Sequence, residues 1–253
     1  MTPGNDKIVA SPQLIQDLAI ANHILYDQGV LDAFGHVSAR HDTAPERFLL
    51  ARNMAPALVT ADDIVEFDLD GTPITAAGRA VYLERFLHGA IYRARPEVMA
   101  VVHSHSPSVV PFSTVKGTPL QAMCHMGGFL GTGTPIFEIR DFAGDASDLL
   151  IRDIALGKSL AQVLGDNPVV LMRGHGSTVV ADSLVTAVFR AVYTEVNARG
   201  QSEAMRLGPV TFLTEAEGRS TSRTNEGQGM RAWDMWKKTA EIRCAALAEI
   251  SKD

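Results

Sequence analysis

The sequence predicts one α/β domain, on three observations. Strand-like and helix-like segments alternate along most of the chain, the pattern of a sheet covered by helices. Two of the strand-like runs, residues 98–105 and 168–172, are apolar and valine-rich, as strands buried on both faces are. The 253 residues hold no internal repeat, low-complexity tract or linker-like stretch, so residues 1–253 read as one unit with a helical extension at about 227–253.

Each element has its own signal. After a short polar start, Ser11-Pro12 followed by QLIQDLAIANHILYDQG reads as an amphipathic helix, with Ser11 as cap, Pro12 in the first turn and Gly29 as the stop. Residues 36–41, 48–52 and 64–69 read as short strands, the last closed by a tight turn at Asp70-Gly71. A helix over about 80–93 carries Leu83, Phe86, Leu87, Ala90 and Ile91 at helical spacing. Beyond the strand at 98–105, residues 145–164 show helical periodicity and 168–172 form a second buried strand. A long helix over 182–207 is assigned Asp182 as its cap. The polar, glycine-containing stretch 214–229 reads as a surface loop leading to a last helix, 230–250, with Trp233 and Trp236.

Composition excludes several classes. Apolar residues make up 46% and charged residues 21%, the balance of a folded globular chain. The net charge of −6, with no Lys/Arg run, speaks against a nucleic-acid partner. No apolar run reaches the roughly 20 residues that span a bilayer, so no membrane partner is expected. The two cysteines, Cys124 and Cys244, form no CxxC pair, and the polar first residues lack the apolar core of a signal peptide. The expectation is a cytoplasmic protein.

Three histidines carry the chemistry. In VMAVVHSHSP, strand alternation puts His103 and His105 on one face with Ser104 opposite. Two imidazoles so placed can grip one cation through bonds of about 2.0–2.1 Å; alternatively one packs and the other is solvated. They end a buried strand, where α/β proteins place ligands. In PVVLMRGHG, His175 lies just past another apolar strand between Gly174 and Gly176, whose missing side chains allow close backbone approach. A third imidazole there supplies what a three-histidine metal site needs. In YLERFLHGAIY, Glu84 and His88 are four apart and are expected to share one helix face. A carboxylate beside a cation can serve as ligand and proton carrier, or the two residues form a solvated pair. Three imidazoles and a carboxylate suit Zn²⁺ or Mn²⁺, and also Co²⁺ or Fe²⁺.

FGHVSAR, the E-x-x-x-H of Glu84 and His88, HSH and GHG, in this order and spacing, resemble the class II aldolase/adducin family over about residues 13–205. The resemblance implies a three-layer α/β/α domain around a central mixed sheet. It implies a homotetramer with active sites between subunits and one divalent metal ion per subunit. Carried over, His103, His105 and His175 are the metal ligands and Glu84 is the catalytic carboxylate. His36 and Ser38 fall in the family's Gly-Asn-x-Ser segment, with His36 in place of Asn, and so are candidate substrate contacts.

The departures from the sugar-phosphate aldolases of that family are informative. Those enzymes hold phosphate with a Ser-Gly turn after the second strand and a Ser-Ser pair before the glutamate; ARNMAPALVT and AAGRAVYLE stand in their place here. Arg52 and Arg79 offer planar forks suited to a carboxylate, as candidate substrate anchors, or are ordinary surface arginines. In QAMCHMGGFLG, His125 falls where fuculose-phosphate-type aldolases carry a proton-donating tyrosine from the neighbouring subunit. An imidazole titrating near neutrality suits that role, and a plain turn histidine is the alternative. The two tryptophans are packing groups or an aromatic lid.

Together these features resemble the branch that decarboxylates hydroxylated aromatic or pyridine dicarboxylates. The expected function is a divalent-metal-dependent carbon–carbon lyase of aromatic compound catabolism, taking a small carboxylate substrate through a metal-stabilised enolate that His125 or Glu84 protonates. An aldolase acting on an unphosphorylated hydroxy-keto acid is the alternative. A non-catalytic adducin-like module would be expected to lose the three histidines, all of which remain.

Overall fold

The computed structural model describes residues 10–250. The polar start read at residues 1–9 and the end of the extension, 251–253, lie outside them. Ser11 caps α1 (Pro12–Asp27), its Oγ accepting from the Leu14 amide, and Gly29 ends the helix at φ +70°. Leu18, Ile24 and Leu25 of α1 are fully buried, each worth roughly 1.5–3 kcal/mol of apolar burial. β1 (His36–Arg40), β2 (Arg47–Ala51) and β3 (Ile64–Asp68) follow as an antiparallel meander. Then come α2 (Arg85–Ala94), β4 (Ala100–Ser104) and the single-turn α3 (Val110–Thr114). The chain continues through β5 (Ile136–Phe137), the short α4 (Arg140–Ala143) and α5 (Ile154–Leu164). A hairpin, β6 (Val169–Met172) and β7 (Gly176–Ala181), precedes α6 (Leu184–Leu207), α7 (Glu215–Glu226) and α8 (Gly229–Ile250).

The seven strands form one mixed sheet in the order β3-β2-β1-β4-β7-β6-β5, antiparallel at every pairing except β5 with β6. Alternation divides its side chains between two cores. Val37, Ala39, Ala100, Val102, Val179 and Ala181 face the core that α1, α6 and α8 close, with Trp233 and Trp236 buried in it. Phe48, Leu50, Val101, Val170 and Val180 face the second core, covered by α2 and α5 through Leu87, Ile91, Leu160 and Leu164. Three layers result, and both tryptophans are packing groups. Among the described residues no helix is long and apolar enough to cross a membrane.

Four segments differ from the sequence expectation. Residues 80–82 are not helical: the Asn53 amide donates to the Ala80 carbonyl and the Tyr82 hydroxyl donates to the Met54 carbonyl, holding them against residues 53–54. α2 therefore begins at Arg85, and Glu84 precedes it without sharing a helix face with His88. Residues 145–152 form turns, because the side chains of Ser147 and Asp148 accept from the amides of Leu149 and Leu150 and so compete with helix; α5 starts only after its cap, Asp153. The cap of α6 is Ser183 in place of Asp182, its Oγ accepting from the Thr186 amide. The stretch 214–229 is mostly α7, started by a capping box between Thr214 and Glu217. Strands β5 and β7 go beyond the sequence reading.

Candidate metal centre

β1, β4 and β7 lie side by side at the middle of the sheet, and the site forms at one end of them. His36 stands opposite His103 in the β1–β4 ladder, and His103 and Ser104 stand opposite Thr178 and Ser177 of β7. His105 lies just beyond β4, and His175 sits in the turn between β6 and β7. Gly174 makes that turn possible at φ +66°. Gly176 does something different: a Cβ there would lie 2.0 Å from the Ser104 carbonyl oxygen, so only glycine lets β7 approach the end of β4.

The result is a tight cluster. His105 Nε2 lies 3.2 Å from His103 Nε2 and 2.9 Å from His175 Nε2. Glu84 Oε2 lies 3.4 Å from His103 Nε2 and 3.5 Å from His175 Nε2. These are the four side chains among the described residues whose donor atoms gather as a cation would require, all within 4.8 Å of one another. Bonds of about 2.0–2.2 Å to one ion put neighbouring ligand atoms roughly 3 Å apart, so the spacing fits a single cation.

The tautomers fit as well. His103 Nδ1–H donates to the Ser177 carbonyl (3.1 Å) and His175 Nδ1–H donates to the Leu149 carbonyl (2.9 Å), leaving both Nε2 lone pairs aimed inward. Glu84 Oε1 accepts from the Ile151 amide at 3.0 Å, which turns Oε2 toward the imidazoles.

Electrostatics favour the same reading. Burial alone would raise the Glu84 carboxyl, but His103, His175 and the Ile151 amide outweigh it and hold it at about 2. Burial, then the neighbouring His103 and His175, pushes His105 down to about 4; burial and His103 lower His175 too. An imidazole binds a cation only through a free nitrogen lone pair, so three imidazoles and one carboxylate would make a donor set of charge −1, suited to a divalent ion.

A cavity of about 440 Å³ opens over the cluster, lined by Glu84, His36 and His105 and walled by Phe34, Tyr82, Leu83 and Leu150. Its walls are largely apolar, as small-molecule sites are.

The other sequence candidates lie elsewhere. Ser38 is fully buried, its Oγ bonded to His88 Nδ1 (2.6 Å) and the Tyr92 hydroxyl (2.8 Å), so it faces protein and not the cavity. Arg52 pairs with Asp63 at 2.6 Å. Arg79 donates to the carbonyls of Ala76, Asp62 and Thr75, so its fork is already occupied. Among the described residues lining the cavity, neither arginine is present. His125 is exposed at the start of a 3₁₀ turn (His125–Leu130), its carbonyl accepting from Asn225, away from the cavity of its own chain. Sequence reasoning passed over the backbone groups of Leu149, Ile151 and Ser177, which carry no side-chain signature. It also passed over Tyr92, which the i, i+4 spacing from His88 on α2 could have flagged.

An α/β/α fold with a three-histidine, one-glutamate cluster at the end of its central strands defines the class. The chain belongs to the class II aldolase/adducin family: residues 16–202 match the Class II Aldolase and Adducin N-terminal domain. It is 40% identical over 242 residues to the decarboxylase tropJ of Talaromyces stipitatus, covering 87% of this chain and 91% of that protein. It is 32% identical over 196 residues to a 3,4-dihydroxyphthalate decarboxylase of Arthrobacter keyseri, covering 72% of this chain and 74% of that protein. Among solved structures, L-fuculose 1-phosphate aldolase from Glaciozyma antarctica PI12 matches with a TM-score of 0.75 at 23% identity, covering 92% of this chain and 90% of that one. An aldolase II superfamily protein from Pseudomonas syringae matches with a TM-score of 0.76 at 21% identity, covering 92% and 95%. The structural likenesses show the fold; family membership and the named relatives make the chain a lyase-type enzyme.

Proposed function

We propose that this protein is a divalent-cation-dependent decarboxylase of a hydroxylated aromatic or pyridine mono- or dicarboxylate. The observation that carries the reading is the convergence of His103, His105, His175 and Glu84 on one point beneath an apolar-walled cavity. The 40% identity to a decarboxylase over nearly the whole chain supports it. A bound Zn²⁺ or Mn²⁺, with Co²⁺ and Fe²⁺ also suited, would supply a Lewis acid for the electron pair left when carbon dioxide departs.

The chain's own groups do the rest. Phe34, Tyr82, Leu83 and Leu150 give a flat ring apolar contact and exclude water around it. Glu84 Oε2, ionised and without a backbone donor, takes the proton of the substrate hydroxyl and passes it to the ring carbon that bears the carboxylate; the bond from that carbon to the carboxylate then breaks, and its electron pair moves to the former hydroxyl oxygen as the ring is restored. His125, exposed on its own chain, is the proposed second proton carrier, delivered from a neighbouring copy in a homotetramer. Cys124 and Cys244 are both free, in keeping with a reducing cytoplasm.

The test is carbon dioxide release from a panel of hydroxylated aromatic and pyridine carboxylates by metal-reconstituted protein, with His103→Ala as the blank. Release that needs His103 supports the reading. Silence across the panel, with aldehyde released from hydroxy-keto acids, would replace it with an aldolase.

A further inference from the structure

Behind the cavity wall runs a closed chain of hydrogen bonds whose direction can be worked out. Tyr92 OH lies 2.8 Å from Ser38 Oγ, Ser38 Oγ lies 2.6 Å from His88 Nδ1, and His88 Nε2 lies 2.7 Å from His36 Nδ1. Tyr92, Ser38 and His88 are all fully or almost fully buried. Burial raises the Tyr92 phenol, which therefore keeps its proton, and burial with the nearby His103 lowers His88 to about 3, so that imidazole is neutral.

The Tyr92 hydroxyl has one side-chain or backbone acceptor in hydrogen-bond reach among the described residues, Ser38 Oγ. Reversing the chain would leave its proton buried without an acceptor, at a cost of about 1–3 kcal/mol. Tyr92 therefore donates to Ser38. Ser38 in turn has no acceptor for its own proton among the described residues except His88 Nδ1, so it donates there. His88, neutral and accepting at Nδ1, carries its proton on Nε2 and donates it to His36 Nδ1. An imidazole that accepts at Nδ1 carries its proton on Nε2. That nitrogen has no protein partner among the described residues and belongs to a ring that lines the cavity.

We propose that the buried chain Tyr92–Ser38–His88 fixes His36 as the Nε2–H tautomer, so that His36 offers one hydrogen-bond donor to a carboxylate or phenolate oxygen in the cavity and is withheld from the metal as a ligand. The second part matters because the His36 ring lies 5.1 Å from that of His103, centroid to centroid, at a tilt of 42°. A lone pair on Nε2 there would add a fourth imidazole donor to the cavity; an N–H recognises oxygen on the substrate. Ser38, His88 and Tyr92 are positioning residues. The donor's use on substrate rests on the decarboxylase reading, whereas the tautomer does not.

The experiment is imidazole ¹H–¹⁵N correlation spectroscopy on Zn²⁺-loaded protein at neutral pH, with His36 assigned from the His36→Asn spectrum. The expected result is Nε2 protonated and Nδ1 an acceptor on His36; Nδ1 protonated would overturn the proposal. In Ser38→Ala the chain is cut, and both His36 nitrogens are expected to move toward averaged shifts. A folded Ser38→Ala protein with unmoved shifts would overturn the positioning role, and the wild-type spectrum decides the tautomer even if that variant does not fold. Titration with 2,3-dihydroxybenzoate tests the donor: His36→Phe should bind about 10–100-fold more weakly than His36→Asn, which keeps an N–H. Equal weakening would overturn the donor's use. Absence of binding to wild type would overturn that use together with the decarboxylase reading and leave the tautomer result standing.

Discussion

The packing of Gly176 against Ser104 makes a sharp prediction, because both neighbours of that contact carry residues of the candidate metal centre. In Gly176→Ala the new Cβ would start 2.0 Å from the Ser104 carbonyl oxygen, 3.0 Å from its carbon and 3.2 Å from His105 Cα. All three are backbone or next to it, so no flexible side-chain end can swing aside. Relief to an ordinary contact needs a displacement of about 1 Å or more between the end of β4 and the start of β7, and overpacking of this kind costs about 1–3 kcal/mol. For a chain of this size that corresponds to a Tm fall of roughly 2–12 °C. The same displacement separates His105 from His175, whose Nε2 atoms lie 2.9 Å apart. Zn²⁺ affinity should therefore fall by at least the 10–100-fold seen when ligand orientation is lost. Gly174→Ala is the control: its nearest contacts would be 3.8 and 3.9 Å away, so only the strain of φ +66°, about 1–2 kcal/mol, is expected. Differential scanning calorimetry and Zn²⁺ titration read both quantities. A Gly176→Ala protein with wild-type Tm and wild-type Zn²⁺ affinity would refute the argument.

Three further outcomes are expected. Glu84→Gln keeps an acceptor for the Ile151 amide but loses the charge, so carbon dioxide release should fall by about 10²–10⁴-fold in a protein that still folds; near-wild-type turnover would remove Glu84 from the proton path. Arg79→Ala frees three backbone carbonyls, and should lower the thermal midpoint while leaving KM within about twofold; a tenfold KM rise at unchanged Tm would restore Arg79 as a substrate anchor. Arg140, with Arg173, pulls Glu138 down to about 2. A folded-state value below the unfolded one contributes stability above about pH 4.5 that is lost as pH falls toward 2. Denaturant midpoints of wild type and Glu138→Gln should thus differ at pH 7 and converge near pH 2, and an equal gap at both would refute the pairing.

Much of the fold was legible because its signals are local. Ser11-Pro12 starts α1, the valine runs mark β4 and β6, and HSH and GHG place three imidazoles at strand ends. What escaped depends on competition. Leu83, Phe86 and Leu87 have helical spacing, yet Tyr82 reaches the Met54 carbonyl and keeps residues 80–82 out of the helix. The side chains of Ser147 and Asp148 likewise accept from the amides of Leu149 and Leu150 and take them from a helix. The α7 capping box was readable in Thr214-Glu-Ala-Glu217, but the polarity of the segment argued louder for a loop. At the site, residue type pointed to Glu84 and the histidines. Whether Arg79 faces substrate or its own loop is a matter of long-range geometry that no spacing encodes.

The groups that aim the centre's side chains are peptide groups: the Ser177 and Leu149 carbonyls and the Ile151 amide. Every amino acid except proline at the amide position supplies the same atoms, so substitutions at these three positions leave the aiming contacts chemically unchanged. What must persist is the path of the chain, including the left-handed turn at Leu149, φ +71°. Drift in this loop is therefore expected to be silent toward metal affinity while it reshapes the cavity wall that neighbouring Leu150 provides. Selection could retune which ring the pocket accepts without reopening the question of how the imidazoles are held.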